Sequence, residues 1–124
     1  MSRPDRLRSL TLGVASIALA LGASGCAASP ASIALDADAV VVDVRTPAEY
    51  AAGHLEGAVN IDYQSPSFAS EVSELDSDAD YVVYCQSGNR SAQAASAMVA
   101  ADLSVQDAGS IDEAAGATGL PVVP

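Results

Sequence analysis

Two short runs constrain the fold most: Ala-Val-Val-Val-Asp-Val at 39–44 and Tyr-Val-Val-Tyr-Cys at 81–85, neither of which alternates polar with apolar residues. A strand wetted on one face alternates; a strand covered on both faces does not. Both runs therefore need helices above and below them, and helix formers follow each run. The expected class is α/β, a single domain with a central parallel sheet flanked by helices. In order, the sequence predicts a strand at 39–44 and a short helix at 47–53, with Pro47 in its first turn and Gly53 past its end. A strand at 58–62, a helix near 67–74 and the strand at 81–85 follow. The pattern then gives a helix at 91–103 with Ala92, Ala95, Met98 and Val99 on one stripe. A short strand at 104–106, a weak helix over 111–118 and a closing segment at 119–123 complete the chain.

The N-terminus follows a different rule. Arg3, Arg6 and Arg8 precede an uncharged run from Ser9 to Gly25, the basic and apolar regions of a secretory signal. The run is short for a membrane span of ~20 apolar residues and is diluted by glycines. It closes on Ala23, Ser24, Gly25 and Cys26, which resembles the bacterial lipoprotein signal, although Ala23 stands where Leu is usual. That resemblance implies cleavage before Cys26 and a lipid on its sulfur. Two acyl chains suffice for stable anchoring, so the expected location is the extracytoplasmic face of a membrane. The expected organisation is a signal at 1–25, a lipidated tether at 26–34 and a domain at 35–124.

Charge narrows the partners. The 124 residues carry 5 Arg, no Lys and 16 acids; after Cys26 only Arg45 and Arg90 remain against fifteen acids, a net of −13. Nucleic acid is excluded as a partner, because holding phosphates needs clustered cations. Cys26, Cys85 and His54 are too few for a four-ligand metal site or a disulfide framework. Asp76, Asp78 and Asp80 have calcium-loop spacing, but Tyr81 and Ser87 stand where such a loop wants Gly and Glu, so a solvated acidic turn is expected. Nothing in the chain names a protein partner.

The segment Tyr-Cys-Gln-Ser-Gly-Asn-Arg-Ser at 84–91 carries the chemistry. Cys85 closes a strand and a helix opens a few residues later, the edge at which ligands of open parallel sheets gather. Gln86, Ser87, Gly88 and Asn89 suit a tight loop with its N–H groups turned inward. Those groups and the helix N-terminus favour an anion and lower a thiol's pKa. Arg90 adds a full positive charge at the loop's end.

These residues, with Val-Val-Asp-Val-Arg-Thr-Pro-Ala-Glu-Tyr-Ala-Ala-Gly-His-Leu-Glu-Gly-Ala-Val-Asn-Ile-Asp at 41–62, resemble the two signatures of the rhodanese-like domain, the sulfurtransferase family. Gly109 and Ser110, followed by an Ala-rich stretch, depart from the family's Gly-Gly-aromatic segment. The resemblance implies a Cys85 nucleophile that takes the outer sulfur of thiosulfate, polysulfide or a persulfide and passes it to a thiophilic acceptor, with no cofactor. Gln86, Ser87, Gly88, Asn89, Arg90 and Arg45 are the expected substrate-binding residues, the loop N–H groups of 86–90 holding the persulfide and Arg90 neutralising oxygen-rich leaving groups. Asp43 is expected to anchor its loop, either by pairing with Arg45 near the pocket rim or by accepting N–H bonds of the turn, Glu49 to be a helix-face acid and His54 a hydrogen-bonded spacer. One alternative is a slow or non-catalytic sulfur carrier or protein-binding module. A cysteine phosphatase or arsenate reductase is a lesser one, since those loops place five residues between Cys and Arg and here there are four.

Overall fold

The computed structural model describes residues 32–124; the expected signal and the lipid site at Cys26 lie outside them. The elements are β1 (Val40–Asp43), α1 (Pro47–Ala51), β2 (His54–Leu55), β3 (Val59–Asn60), α2 (Phe68–Ser73), β4 (Asp80–Cys85), α3 (Asn89–Ala100), β5 (Ser104–Ser110), α4 (Ile111–Thr118) and β6 (Val122–Val123). Four strands form one sheet in the order β3-β1-β4-β5, and every pairing in it is parallel.

Two cores explain the unbroken apolar runs. Val42, Val44, Tyr81, Val83 and Cys85 face α2 and α3, packing with Phe68, Val72, Ala94 and Met98. Val41, Val82 and Tyr84 face the opposite side, with Ile33, Leu55, Ile111 and Ala114. Burial of each Val or Leu contributes about 1.5–3 kcal/mol, so both layers are needed. Ile33, expected within the tether, is buried and its N–H donates to the Ala117 carbonyl at 2.9 Å; packing begins there.

Local rules account for the element ends. Thr46 caps α1 by accepting from the Glu49 N–H, Glu49 accepts from the Thr46 N–H, and Pro47 fills the first turn, a capping box. Ser110 caps α4. Gly88, with φ +97°, turns the chain from β4 into α3, a conformation that favours glycine.

Three expectations are corrected. The α3 stripe is rotated: Ser91, Ala94 and Met98 are buried, while Ala92 and Val99 are exposed. The strand expected at 104–106 runs on to Ser110, because β4 supplies ladder partners as far as Cys85. The expected strand at 58–62 is regular only at Val59–Asn60, although Ile61 and Tyr63 continue to donate to the carbonyls of Asp43 and Val44. Beyond the sheet, β2 and β6 pair antiparallel.

Candidate active site

From β1 the chain passes outward to β3, and from β4 it passes through α3 to β5 on the other side. Neighbouring parallel strands that diverge in this way open a crevice at their C-terminal ends. Asp43, Arg45 and Cys85 all stand there.

On the β1 side, Arg45 is bound on every side. Its Nη2 meets Asp43 Oδ2 at 2.7 Å, Nε meets Oδ1 at 3.0 Å, and the backbone N–H also donates to Oδ1. Nη2 donates to the Gly53 carbonyl and Nη1 to Gln86 Oε1 at 3.0 Å. The Tyr84 hydroxyl completes the shell of Asp43 at 2.8 Å, and burial raises the Tyr84 pKa, keeping that hydroxyl a donor. Asp43 and Arg45 are 0% and 4% exposed. The expected pairing is present, but Arg45 is a buried strut between β1, the α1–β2 turn and the loop. It is not a rim residue.

On the β4 side, the loop wraps the Cys85 sulfur. The Gly88 N–H donates to Sγ at 2.9 Å, and Sγ lies 3.6 Å from the Ser91 hydroxyl. Burial would push the Cys85 thiol up; the Ser91 hydroxyl and the N–H groups of Ser91, Gly88 and Ser87 outweigh it, holding the thiol below its ordinary value. Of the backbone N–H groups, that of Gly88 makes the hydrogen bond to the resting sulfur. Cys85 itself is 0% exposed, deeper than a sulfur at an open mouth. Gln86, Ser87 and Asn89, which follow it in the loop, are exposed.

Arg90, at the end of the loop, is paired with an acid of α1. Its Nη1 and Nη2 meet Glu49 Oε2 and Oε1 at 3.0 and 3.2 Å. The guanidinium holds the Glu49 carboxyl below the usual carboxylate range, burial acting the other way. Glu49 is thus the partner of Arg90 and no mere helix-face acid. His54 stacks on Tyr50 at 3.8 Å, its Nδ1 2.9 Å from the Tyr50 carbonyl, as expected of a spacer. Among the described residues no three His, Cys, Asp or Glu side chains converge as a metal site. A cleft of about 490 Å³ between β5 and α4, lined by Asp107, Gly109 and Glu113 among others, does not include Cys85.

Sequence reading missed the roles of two residues. The Glu49 contact gave no signal, being 41 residues from Arg90. Ser91 gave a faint one, a polar residue in the first turn of an Ala-rich helix. Its hydroxyl donates to the Gly88 carbonyl at 3.0 Å, and that carbonyl also receives the Ala92 N–H. A turn of the hydroxyl toward an ionised sulfur therefore leaves the carbonyl partnered. Thiolate is the reactive form, so Ser91→Ala is expected to move the pH profile of Cys85 alkylation upward and slow labelling at neutral pH by about fivefold. Labelling by iodoacetamide, read peptide by peptide in a mass spectrometer, checks this; an unmoved profile rejects a role for the hydroxyl.

The arrangement is a low-pKa nucleophile in a cradle of donors, suited to capturing an electrophilic atom and stabilising the resulting anion. Comparison with known proteins agrees on the family. The rhodanese-like domain matches residues 31–114. The thiosulfate sulfurtransferase GlpE of Pseudomonas entomophila is 45% identical over 69 residues, covering 55% of this chain and 62% of that protein. A sulfurtransferase of Allochromatium vinosum is 42% identical over 57 residues, 46% of this chain and 51% of that protein. The chain thus spans less than two thirds of these relatives. A rhodanese from E. coli solved with anions superposes with a TM-score of 0.56 at 28% identity, covering 68% of this chain and 96% of that one. A rhodanese-related protein from Thermoplasma volcanium gives 0.59 at 30% identity, with 69% and 84% covered.

Proposed function

The chain belongs to the rhodanese-like domain family, and from that premise we propose that it is a sulfurtransferase working through a persulfide on Cys85. The observation that carries this reading is the Cys85 sulfur held by the Gly88 N–H and depressed in pKa. In the first step the thiolate attacks the outer sulfur of a sulfane donor such as thiosulfate, polysulfide or a persulfide. The donor's S–S bond breaks with its electron pair on the leaving group, and Cys85 keeps a persulfide anion. A thiophilic acceptor, cyanide in an assay or a cellular thiol, then takes the outer sulfur and restores the thiolate. Neither step requires a proton to move on the enzyme, so the chemistry calls for no general base beside Cys85. N–H groups of the loop and the α3 terminus are the donors available to the persulfide.

The reading is tested by incubating the protein with thiosulfate and following the mass of the Cys85 peptide, then adding cyanide and measuring thiocyanate. Gain of one sulfur atom on that peptide, lost on cyanide addition, is the expected result. A peptide left sulfur-free both by thiosulfate and by a singly charged donor such as methanethiosulfonate rejects it. A second reading, a slow sulfur carrier or protein-binding module, is favoured by the zero exposure of Cys85; it gives the persulfide but little thiocyanate. Phosphatase or arsenate chemistry is disfavoured by the four-residue spacing and by Arg90 turning to Glu49.

The same proposal puts the domain on the extracytoplasmic face of a membrane through lipid on Cys26, supported by the sequence from Arg3 to Cys26. Mass spectrometry of membrane-extracted protein tests it, and an unmodified Cys26 counts against it. The net of −13 carried from Cys26 onward repels an anionic donor, and salt screens fields beyond ~8–10 Å. Thiosulfate turnover is therefore expected to rise with moderate ionic strength; a steep monotonic fall contradicts this.

A further inference from the structure

Both arginines of the described chain are consumed internally. Arg45 is spent on Asp43, Gly53 and Gln86. Arg90, the cation at the end of the cysteine loop, lies against Glu49 through two contacts of 3.0 and 3.2 Å. The loop between Cys85 and Arg90 is uncharged, and the described residues carry thirteen further acids with no Lys or third Arg to offset them. A donor reaching the sulfur therefore meets amide dipoles but no free positive side chain. Amide dipoles suit one developing negative charge; a second charge on the donor has nothing to meet and faces the acidic surface.

We propose that Glu49, by neutralising Arg90, makes the site select sulfane donors carrying a single negative charge over dianions such as thiosulfate. This rests on the sulfurtransferase reading and adds the charge class of its substrate. Glu49 is a specificity-determining residue acting through Arg90, and the pair is positioned for it. Glu49 is fixed in α1 by the capping box with Thr46, Arg90 opens α3, and the Arg45 to Gln86 bond ties the same two segments together beside it.

Two donors differing in charge separate the idea from a general loosening of the loop. Thiosulfate brings two negative charges and releases sulfite with two. Methanethiosulfonate brings one and releases methanesulfinate with one. In both, the Cys85 thiolate bonds to the outer sulfur, the bond from that sulfur to the sulfonyl sulfur breaks, and its electron pair leaves on the sulfur oxyanion. Comparing kcat/KM for the two donors across variants cancels their intrinsic reactivities.

Glu49→Gln keeps the capping box, since Gln serves at that position, and frees Arg90. The ratio of thiosulfate to methanethiosulfonate kcat/KM is expected to rise by about tenfold. Arg90→Gln, which leaves Glu49 uncompensated, is expected to lower the ratio, and the double variant to bring it back toward wild type. A ratio in Glu49→Gln within about twofold of wild type, the scatter of independent sites, overturns the inference, as does a rate change shared equally by both donors. If wild type forms a Cys85 persulfide with both donors and the ratio stays fixed, only the selectivity idea falls. If it forms one with neither, the sulfurtransferase reading falls and this inference with it.

Discussion

Cys85→Ser is expected to remove sulfur transfer, cutting the release of thiocyanate by at least about a thousandfold, as loss of a covalent nucleophile does elsewhere. The reason is local. A serine hydroxyl at this position remains protonated, since the donors that hold a thiolate are too weak to ionise an alcohol. The substitution nearly preserves shape: the Gly88 N–H and the Ser91 hydroxyl keep an acceptor or donor to meet. Unfolding temperature is therefore expected to change little, and a loss of activity with retained stability assigns the effect to chemistry. Equal turnover in the two proteins would remove the enzyme claim altogether.

Asp43→Ala is expected to have the largest effect on stability. Asp43 is wholly buried and accepts from Arg45 N, Nε and Nη2 and from the Tyr84 hydroxyl. Alanine leaves the Arg45 charge buried without its partner, which costs about 3–5 kcal/mol. In a domain of this size that corresponds to a fall in Tm of more than about 12 °C, a large share of a typical total stability of about 5–15 kcal/mol. Asp43→Asn, which retains an acceptor without the charge, is expected to fall between. A thermal melt followed by circular dichroism measures both, and a Tm for Asp43→Ala within a few degrees of wild type, on the order of 1 kcal/mol, rejects the buried pair as a stabilising element. Because Arg45 also holds Gln86, sulfur transfer is expected to weaken in both variants at temperatures where they remain folded.

How much of this was readable in the sequence depended on the range of the interaction. The doubly covered strands β1 and β4 were legible because burial on both faces writes itself into consecutive residues, Val40 to Val42 and Tyr81 to Cys85. The helix at 111–118 emerged with those bounds because Ser110 and Gly119 mark its ends locally. The pairing of Asp43 with Arg45 was accessible for the same reason, the two being two residues apart. Contacts closed by the fold were not. The β2–β6 ladder joins His54–Leu55 to Val122–Val123, two-residue strands with no periodicity to read. The extension of β5 through Asp107, Gly109 and Ser110 is imposed by β4 and has no apolar pattern of its own. The rotation of α3 follows from Ser91 turning inward toward sulfur, where an apolar count selected Ala92 and Val99. The Arg90 to Glu49 pair was equally out of reach, since charge at a loop's end says nothing of the partner that the fold brings to it.

The depth of Cys85 bears on how such a protein ages. An ionised thiol is also the form that peroxide attacks, and susceptibility follows exposure as well as ionisation. At 0% exposure, the resting sulfur meets peroxide, like any donor or alkylating reagent, only when the Gln86–Asn89 turn parts, which slows the stepwise damage that ends in sulfinic and sulfonic acids. Because those last oxidation steps are not reversed by ordinary thiols, that shielding lengthens the working life of each molecule.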